Sequence, residues 1–409
     1  MCSQQCRCLS GDDDLLVSMD GEDADGGVLH GDIHSGNRHT VFEAVEPDTQ
    51  KFQTLQTQRP HERAVQADAA AEDDRVQPAH DCGVCADVFF DRIAVCAYPV
   101  RRGLFSKVVG NKRIVDDVSL EVEEGKTIAL VGESGCGKSV LLRIISDIEK
   151  PTTGTVRFHG CPLDELYPED RDEMKKSVQM IFQDTLSSLH PRFTIQESIE
   201  EPLKLSGVSD PAERMAIIKK TFDLIGLDTD FLTRYPHQLS GGQRQRAVIA
   251  RALVVNPKLL LADEPISALD VSLQAQIINL LMDLQSELNL SILLVAHDLA
   301  VVRQIADEIL IMYLGHIVER AKSKDIYSDA RHPYTKVLLK AAPSIKKGIN
   351  DEGFSLDLKV GDTPSPENPP KGCPFCTRCI YADDECMEKC PENVEVSPGH
   401  FVMCSKFCG

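Results

Sequence analysis

No stretch of this sequence is apolar over the ~18–20 residues that a membrane-crossing helix needs, so no bilayer span is expected. The amino terminus lacks a basic segment followed by an apolar core, so no secretory signal is read there. Basic residues are also in short supply, 44 Lys and Arg against 64 Asp and Glu, for a formal charge of -20. Binding a phosphate backbone needs clustered positive charge, so nucleic acid is not expected as a partner. The deficit is uneven, because residues 1–87 alone hold 18 acidic and 6 basic side chains. A soluble cytoplasmic protein is the expectation, with an ordinary 42% hydrophobic and 26% charged composition. Cysteine is abundant for that compartment. Seven of the 15 fall between Cys373 and Cys408, a clustering that points to metal or iron–sulfur ligation more than to disulfides.

Residues 1–87, rich in Asp, Gly, Gln and Ala and without a sustained period of 2 or 3.6, read as a disordered acidic extension. From about residue 88 the pattern alternates. Apolar strand-like runs at Ile93–Val100, Ile114–Val122, Thr127–Val131, Leu259–Ala262, Ser291–Ala296 and Ile309–Tyr313 are separated by helical stretches such as Lys138–Ile148 and Leu273–Leu288. Residues 186–237 read mainly as helix. Such alternation predicts an α/β fold with a mostly parallel sheet. Past Pro343 a Pro- and Gly-rich linker leads to the cysteine cluster.

Gly132-Glu-Ser134-Gly135-Cys-Gly137-Lys138-Ser139 matches the G-x-x-x-x-G-K-[ST] phosphate loop, with a strand before it and a helix after it. Glycines let main-chain N–H groups turn toward phosphate oxygens, and the helix N-terminus adds positive potential. Lys138 would reach the β- and γ-phosphates of ATP, and the Ser139 hydroxyl would ligate Mg²⁺. Farther along, Leu259-Leu-Leu-Ala-Asp263-Glu264 is an apolar strand ending in two carboxylates. As an isolated feature this could be a helix cap. Beside a phosphate loop it reads as a site where Asp263 holds Mg²⁺ and Glu264 is the general base for the attacking water.

With these motifs the sequence resembles the ABC ATPase family. Leu239-Ser240-Gly241-Gly242-Gln243, opening a helix, matches the family signature, whose serine, glycines and helix N–H groups suit an anion. The resemblance implies that Ser240, Gly241, Gly242 and Gln243 contact the γ-phosphate held by a second subunit, with two ATPs between them. It further implies that Gln183 senses Mg²⁺ and the membrane subunits, that Ser267-Ala-Leu-Asp270 is the family's D-loop, that His297 contacts the γ-phosphate, and that Tyr98 stacks on adenine. The implied fold is a P-loop ATPase core over 88–335, with an antiparallel β subdomain and a helical signature subdomain at about 186–240. A carboxy-terminal extension follows over 336–409.

Three runs narrow the resemblance to the oligopeptide and dipeptide importer branch. They are Ser187-Ser-Leu-His-Pro-Arg192, His332-Pro-Tyr-Thr335, and the segment from Gly361 to Cys373-Pro-Phe. His190 departs from the branch, which usually has Asn there. The branch implies an ATP-hydrolysing subunit peripheral to the cytoplasmic face of the membrane. Its partners would be a second ATPase subunit, identical or paralogous, two permease subunits, and an extracytoplasmic solute-binding protein reached through the permease. Nickel or another small solute is the alternative cargo. In this branch Cys373, Cys379, Cys386 and Cys404 match positions associated with a [4Fe–4S] cluster in some members. Spacing alone also allows Cys373, Cys376 and Cys379 with Cys390, or zinc. ABC ATPases acting on DNA or ribosomes are a competing class. Their long insertions between Lys138 and Leu239, or their second cassette, are missing here.

Overall fold

The computed structural model describes residues 42–45, 52–55, 88–102, 107–267, 269–341, 358–359, 364–365 and 367–407, with side chains described from residue 112 onward except Leu186. Within a unit spanning residues 1–81, strands β1 (Phe42–Val45) and β2 (Phe52–Leu55) pair antiparallel. All other elements belong to a second unit, residues 82–409. It begins with the long antiparallel pair β3 (Val88–Arg102) and β4 (Lys107–Val122). Strand β5 (Thr127–Val131) then leads into helix α1 (Lys138–Ile145). The short pair β6 (Arg157–Phe158) and β7 (Cys161–Pro162), helix α2 (Pro168–Ser177) and strand β8 (Val178–Ile181) follow.

A helical stretch comes next: α3 (Thr185–Ser188), α4 (Ile195–Leu205), α5 (Pro211–Ile225) and, after two 3₁₀ turns, α6 (Gly241–Leu253). Strand β9 (Leu259–Asp263), α7 (Val271–Leu288), β10 (Ser291–Ala296) and α8 (Leu299–Val302) complete the parallel core. The chain then runs through β11 (Glu308–Tyr313), β12 (His316–Lys322), α9 (Ser323–Asp329) and α10 (Pro333–Ala341). Helix α11 (Asp384–Glu388), β13 (Val394–Ser397) and β14 (His400–Val402) close it.

The main sheet has eight strands in the order β13-β14-β12-β11-β5-β10-β9-β8. Strands β5, β8, β9, β10 and β11 pair in parallel, whereas β12, β13 and β14 are antiparallel additions. Every residue of β5, β9 and β10 is buried, as strands covered on both faces must be. The period of 2 divides their side chains between two cores. Ala129, Val131, Leu260, Ala262, Ile292 and Leu294 join the helical stretch on one face, while Ile128, Leu130, Leu259, Leu261, Leu293 and Val295 pack with α1 and β4 on the other.

Local signals place the helix ends. Thr194 and Glu197 form a reciprocal capping box at the start of α4. Asp210 caps α5, which starts on Pro211 and stops at Gly226 in the left-handed region. The expected helix at Lys138–Ile148 ends earlier, at Ile145. The stretch 186–237 is three separate helices and two 3₁₀ turns. Strands β12, β13 and β14 have no counterpart in the sequence reading.

Candidate functional site

The phosphate loop spans the turn between β5 and α1, and its backbone is built for glycine. A Cβ on Gly132 would lie 2.2 Å from the Met312 carbonyl oxygen, and one on Gly137 2.5 Å from that of Ile114, with Gly137 at φ 114°. Helix α1 has no side-chain cap and no acidic residue in its first turn. Its leading N–H groups are thus left to an anion. Lys138 is buried, and its ammonium donates to the carbonyls of Gly132 (2.8 Å) and Glu133 (3.0 Å). The Ser139 hydroxyl donates to Asp263 Oδ1 at 3.1 Å, joining the loop to the end of β9. Burial pushes the Asp263 carboxyl up, offset in part by that hydrogen bond. A cation at this point would favour the ionised form.

Glu264 follows Asp263 at φ 45°, a left-handed conformation that costs a non-glycine residue about 1–3 kcal/mol. The turn is held by Glu264 N–H to the Val295 carbonyl (3.2 Å) and by the Ser267 hydroxyl to the Glu264 carbonyl (3.1 Å). This conformation aims the carboxylate at two neighbours. Gln183, past the end of β8, donates to Oε2 at 3.0 Å, and His297, past the end of β10, brings Nδ1 to 3.7 Å of the same oxygen. The second distance is beyond a hydrogen bond and within reach of one after a small rotation. Three strand ends therefore converge on one carboxylate. The left-handed turn that makes this possible carries no sequence signal, since glutamate is not a turn former.

Ser240 caps α6, with its hydroxyl accepting from Gln243 N–H (3.3 Å) while Gln243 Oε1 accepts from Ser240 N–H (3.0 Å). The Gln243 N–H is therefore engaged within the helix, unlike the free set of donors expected; those of Gly241 and Gly242 precede it. A Cβ on Gly242 would meet Leu273 of α7 at 2.9 Å. Asp270 caps α7 through Leu273 N–H (2.9 Å) and the Ser272 hydroxyl (2.7 Å), and the first of these chiefly holds its carboxyl below the usual range. The Tyr98 backbone lies in β3 opposite Lys112; its side chain falls outside the described residues. Ser134 and Gly135 sit in the phosphate loop, with Gly135 left-handed at φ 81°.

In the cysteine-rich segment Cys373, Cys376, Cys379, Cys386 and Cys404 line one small cavity. Burial pushes the Cys373 thiol up to about 12 and also raises Cys376 and Cys379. Cys390 is exposed and does not line that cavity, so the set that includes it is not brought together. Among the described residues no three Cys, His, Asp or Glu side chains are arranged to hold a metal ion. The Cys373, Cys379, Cys386, Cys404 set therefore shares a cavity without forming a metal site in this arrangement.

A parallel sheet with an uncapped helix behind a glycine cradle, a carboxylate at the next strand end and a Ser-Gly-Gly-Gln helix start defines a P-loop ATPase of the cassette type. Residues 115–267 match the ABC transporter family, and residues 318–386 match the oligopeptide/dipeptide transporter C-terminal region. The oligopeptide transport ATP-binding protein AppF of Bacillus subtilis is 46% identical over 75% of this chain and 93% of its own. The dipeptide transport ATP-binding protein DppF of Haemophilus influenzae is 45% identical over 75% and 93%. The dimeric structure of MJ0796, a bacterial ABC transporter cassette, superposes with a TM-score of 0.51 at 29% identity, covering 57% of this chain and 98% of that one. The chain belongs to the ATP-binding subunits of ABC transporters, enzymes that couple ATP hydrolysis to transport.

Proposed function

We propose that this chain energises a peptide importer, with Glu264 as the general base of an ATP site shared between two ATPase subunits. The carrying observation is the convergence of Gln183, Glu264 and His297 beside the Ser139–Asp263 contact. Peptide cargo is supported by the relatives that transport oligopeptides and dipeptides.

The residues fit ATP and Mg²⁺. Ser139 and Asp263 present a hydroxyl and a buried carboxylate to the same point, a donor set suited to a hard cation. Bound there, Mg²⁺ would neutralise charge developing on the phosphates. Lys138 would exchange its two loop carbonyls for phosphate oxygens. The N–H groups at the start of α1 would hold the β-phosphate. Glu264 would take the proton of the attacking water, with Gln183 orienting its carboxylate and His297 donating to the γ-phosphate. Ser240, Gly241 and Gly242 would close over the nucleotide of the partner subunit. Core and extension would divide at about residue 335.

Docking to the permease is assigned to a groove of about 580 Å³ beside β8. Its walls carry Ile148, Phe182 and Leu205, exposed apolar side chains, among Lys175, Glu201 and Arg251. This mixture suits an amphipathic cytoplasmic helix of the permease, and the groove adjoins Gln183. No helix among the described residues is long and apolar enough to cross a membrane, which accords with a subunit held at the membrane by that contact. Leu205→Glu should retain nucleotide binding and lose co-purification with the permease; a full complex from that variant would sink the assignment.

For the cysteines, ligation of a [4Fe–4S] cluster by Cys373, Cys379, Cys386 and Cys404 rests on the resemblance alone; the four share a cavity with Cys376, but no three described side chains are arranged to hold a metal ion. Anaerobically reconstituted protein should then show a broad visible charge-transfer band. A featureless spectrum with no bound iron or zinc would leave the thiols as buried packing groups.

A further inference from the structure

The carboxy-terminal segment reaches the phosphate loop directly. Glu133, the residue after the first glycine of that loop, is held at three points. Its main-chain N–H donates to the Tyr334 hydroxyl at 3.0 Å. Its carboxylate lies 2.9 Å from Arg378 Nη1 through both oxygens. Its carbonyl accepts from the Lys138 ammonium at 3.0 Å. Tyr334 is the second residue of α10, and Arg378 lies between Cys376 and Cys379, so two of the three restraints come from residues 318–386, the part that matches the oligopeptide/dipeptide transporter C-terminal region.

Both partners are fixed in turn. Tyr334 packs against Tyr313 (centroids 4.7 Å apart) and Phe375 (5.4 Å), and Phe375 meets Tyr313 edge-on at 5.2 Å. All three rings are fully buried or nearly so. Tyr313 ends β11, one residue after Met312, whose carbonyl oxygen occupies the place a Cβ on Gly132 would take. The Arg378 side chain is only 13% exposed, so solvent screens its pairing with Glu133 less than that of a surface pair.

We propose that Arg378 and Tyr334 are positioning residues of the ATP site, through which the carboxy-terminal segment sets the charge and backbone of the phosphate loop. The proposal rests on the reading of that loop as the nucleotide cradle. Arg378 neutralises a carboxylate located in the loop that must accept a polyanion. Without it, the Glu133 charge would repel the phosphates and would compete for Lys138. Tyr334 fixes the peptide plane between Gly132 and Glu133, and with it the Gly132 carbonyl, one of the two on which Lys138 rests.

The test is MgATP affinity and steady-state hydrolysis by the full-length chain. Arg378→Gln should raise Kd and KM for MgATP about three- to tenfold with kcat kept within about twofold. Arg378→Lys should recover most of the affinity, because the charge is retained. The double variant Glu133→Gln with Arg378→Gln should return close to the unsubstituted affinity, because the repelling charge has gone. A packing role would make the double variant as weak as Arg378→Gln or weaker, and that outcome overturns the proposal, as does an unchanged KM in Arg378→Gln. Should Arg378→Gln fail to fold, Arg378→Lys and the double variant still decide the matter. Lys406→Ala, which breaks the Lys406–Asp383 pair within the segment and away from the loop, should leave KM unaltered. Lys138→Ala separates the two failures: if it too binds MgATP normally, the nucleotide reading has failed, and if it alone loses binding, only the positioning role has.

Discussion

Glu264→Gln is expected to bind MgATP as tightly as the unsubstituted chain, to accumulate as a dimer with nucleotide trapped in it, and to turn over about 10²–10⁴ times more slowly. The replacement preserves shape. Glutamine is not β-branched, so it meets the same strain at φ 45° as glutamate does. Its side-chain carbonyl still accepts from Gln183, which now donates to Oε2 of Glu264 at 3.0 Å. Only the capacity to receive a proton is lost. In the proposed cycle hydrolysis reopens the closed pair, so blocking it should shift the population toward the closed state. Single-turnover phosphate release together with size-exclusion chromatography in MgATP measures both effects. Unaltered phosphate release would remove Glu264 from its role as base.

Lys138→Ala should act on binding itself. The ammonium is buried and satisfied by two main-chain carbonyls, so it is already desolvated and aimed along the loop. Hydrogen bonds to charged groups contribute roughly 1.5–3 kcal/mol each, and losing those to the β- and γ-phosphates should raise Kd about a hundredfold or more. Fluorescent-nucleotide titration reads the change. The fold should persist, because the released Glu133 carbonyl is only part-buried and the space left by the lysine side chain lets water reach that of Gly132. Retained affinity would mean that Lys138 does not touch phosphate.

The nucleotide motifs were legible in the sequence because each is local. Gly132, Gly137 and Lys138 lie within seven consecutive residues, and Asp263 and Glu264 stand at the end of an apolar run. The apolar strands were legible too, since β5, β9 and β10 are buried on both faces. What escaped was set by residues far apart in the chain. Strand β12 mixes charged and apolar residues, because Glu319 turns inward to meet the Arg331 and His332 N–H groups (2.7 and 3.0 Å) and His400 Nε2 (2.8 Å). A fully buried acid has no periodic signature. Nor does Arg378 announce a partner 245 positions earlier. The signature serine was read as an anion donor, and its reciprocal capping by Gln243 follows equally well from Ser-x-x-Gln spacing; the two readings share the same letters.

Because β14 lies along β12, the terminal segment is not an appendix that could be trimmed away. Cutting it off would uncover the rim of the main sheet, where unpaired main-chain groups offer a template for self-association. It would also strip from Glu319 the imidazole that now shares its enclosure, leaving the carboxylate with its two main-chain donors alone. A shortened chain would therefore forfeit solubility before its catalytic competence could be judged.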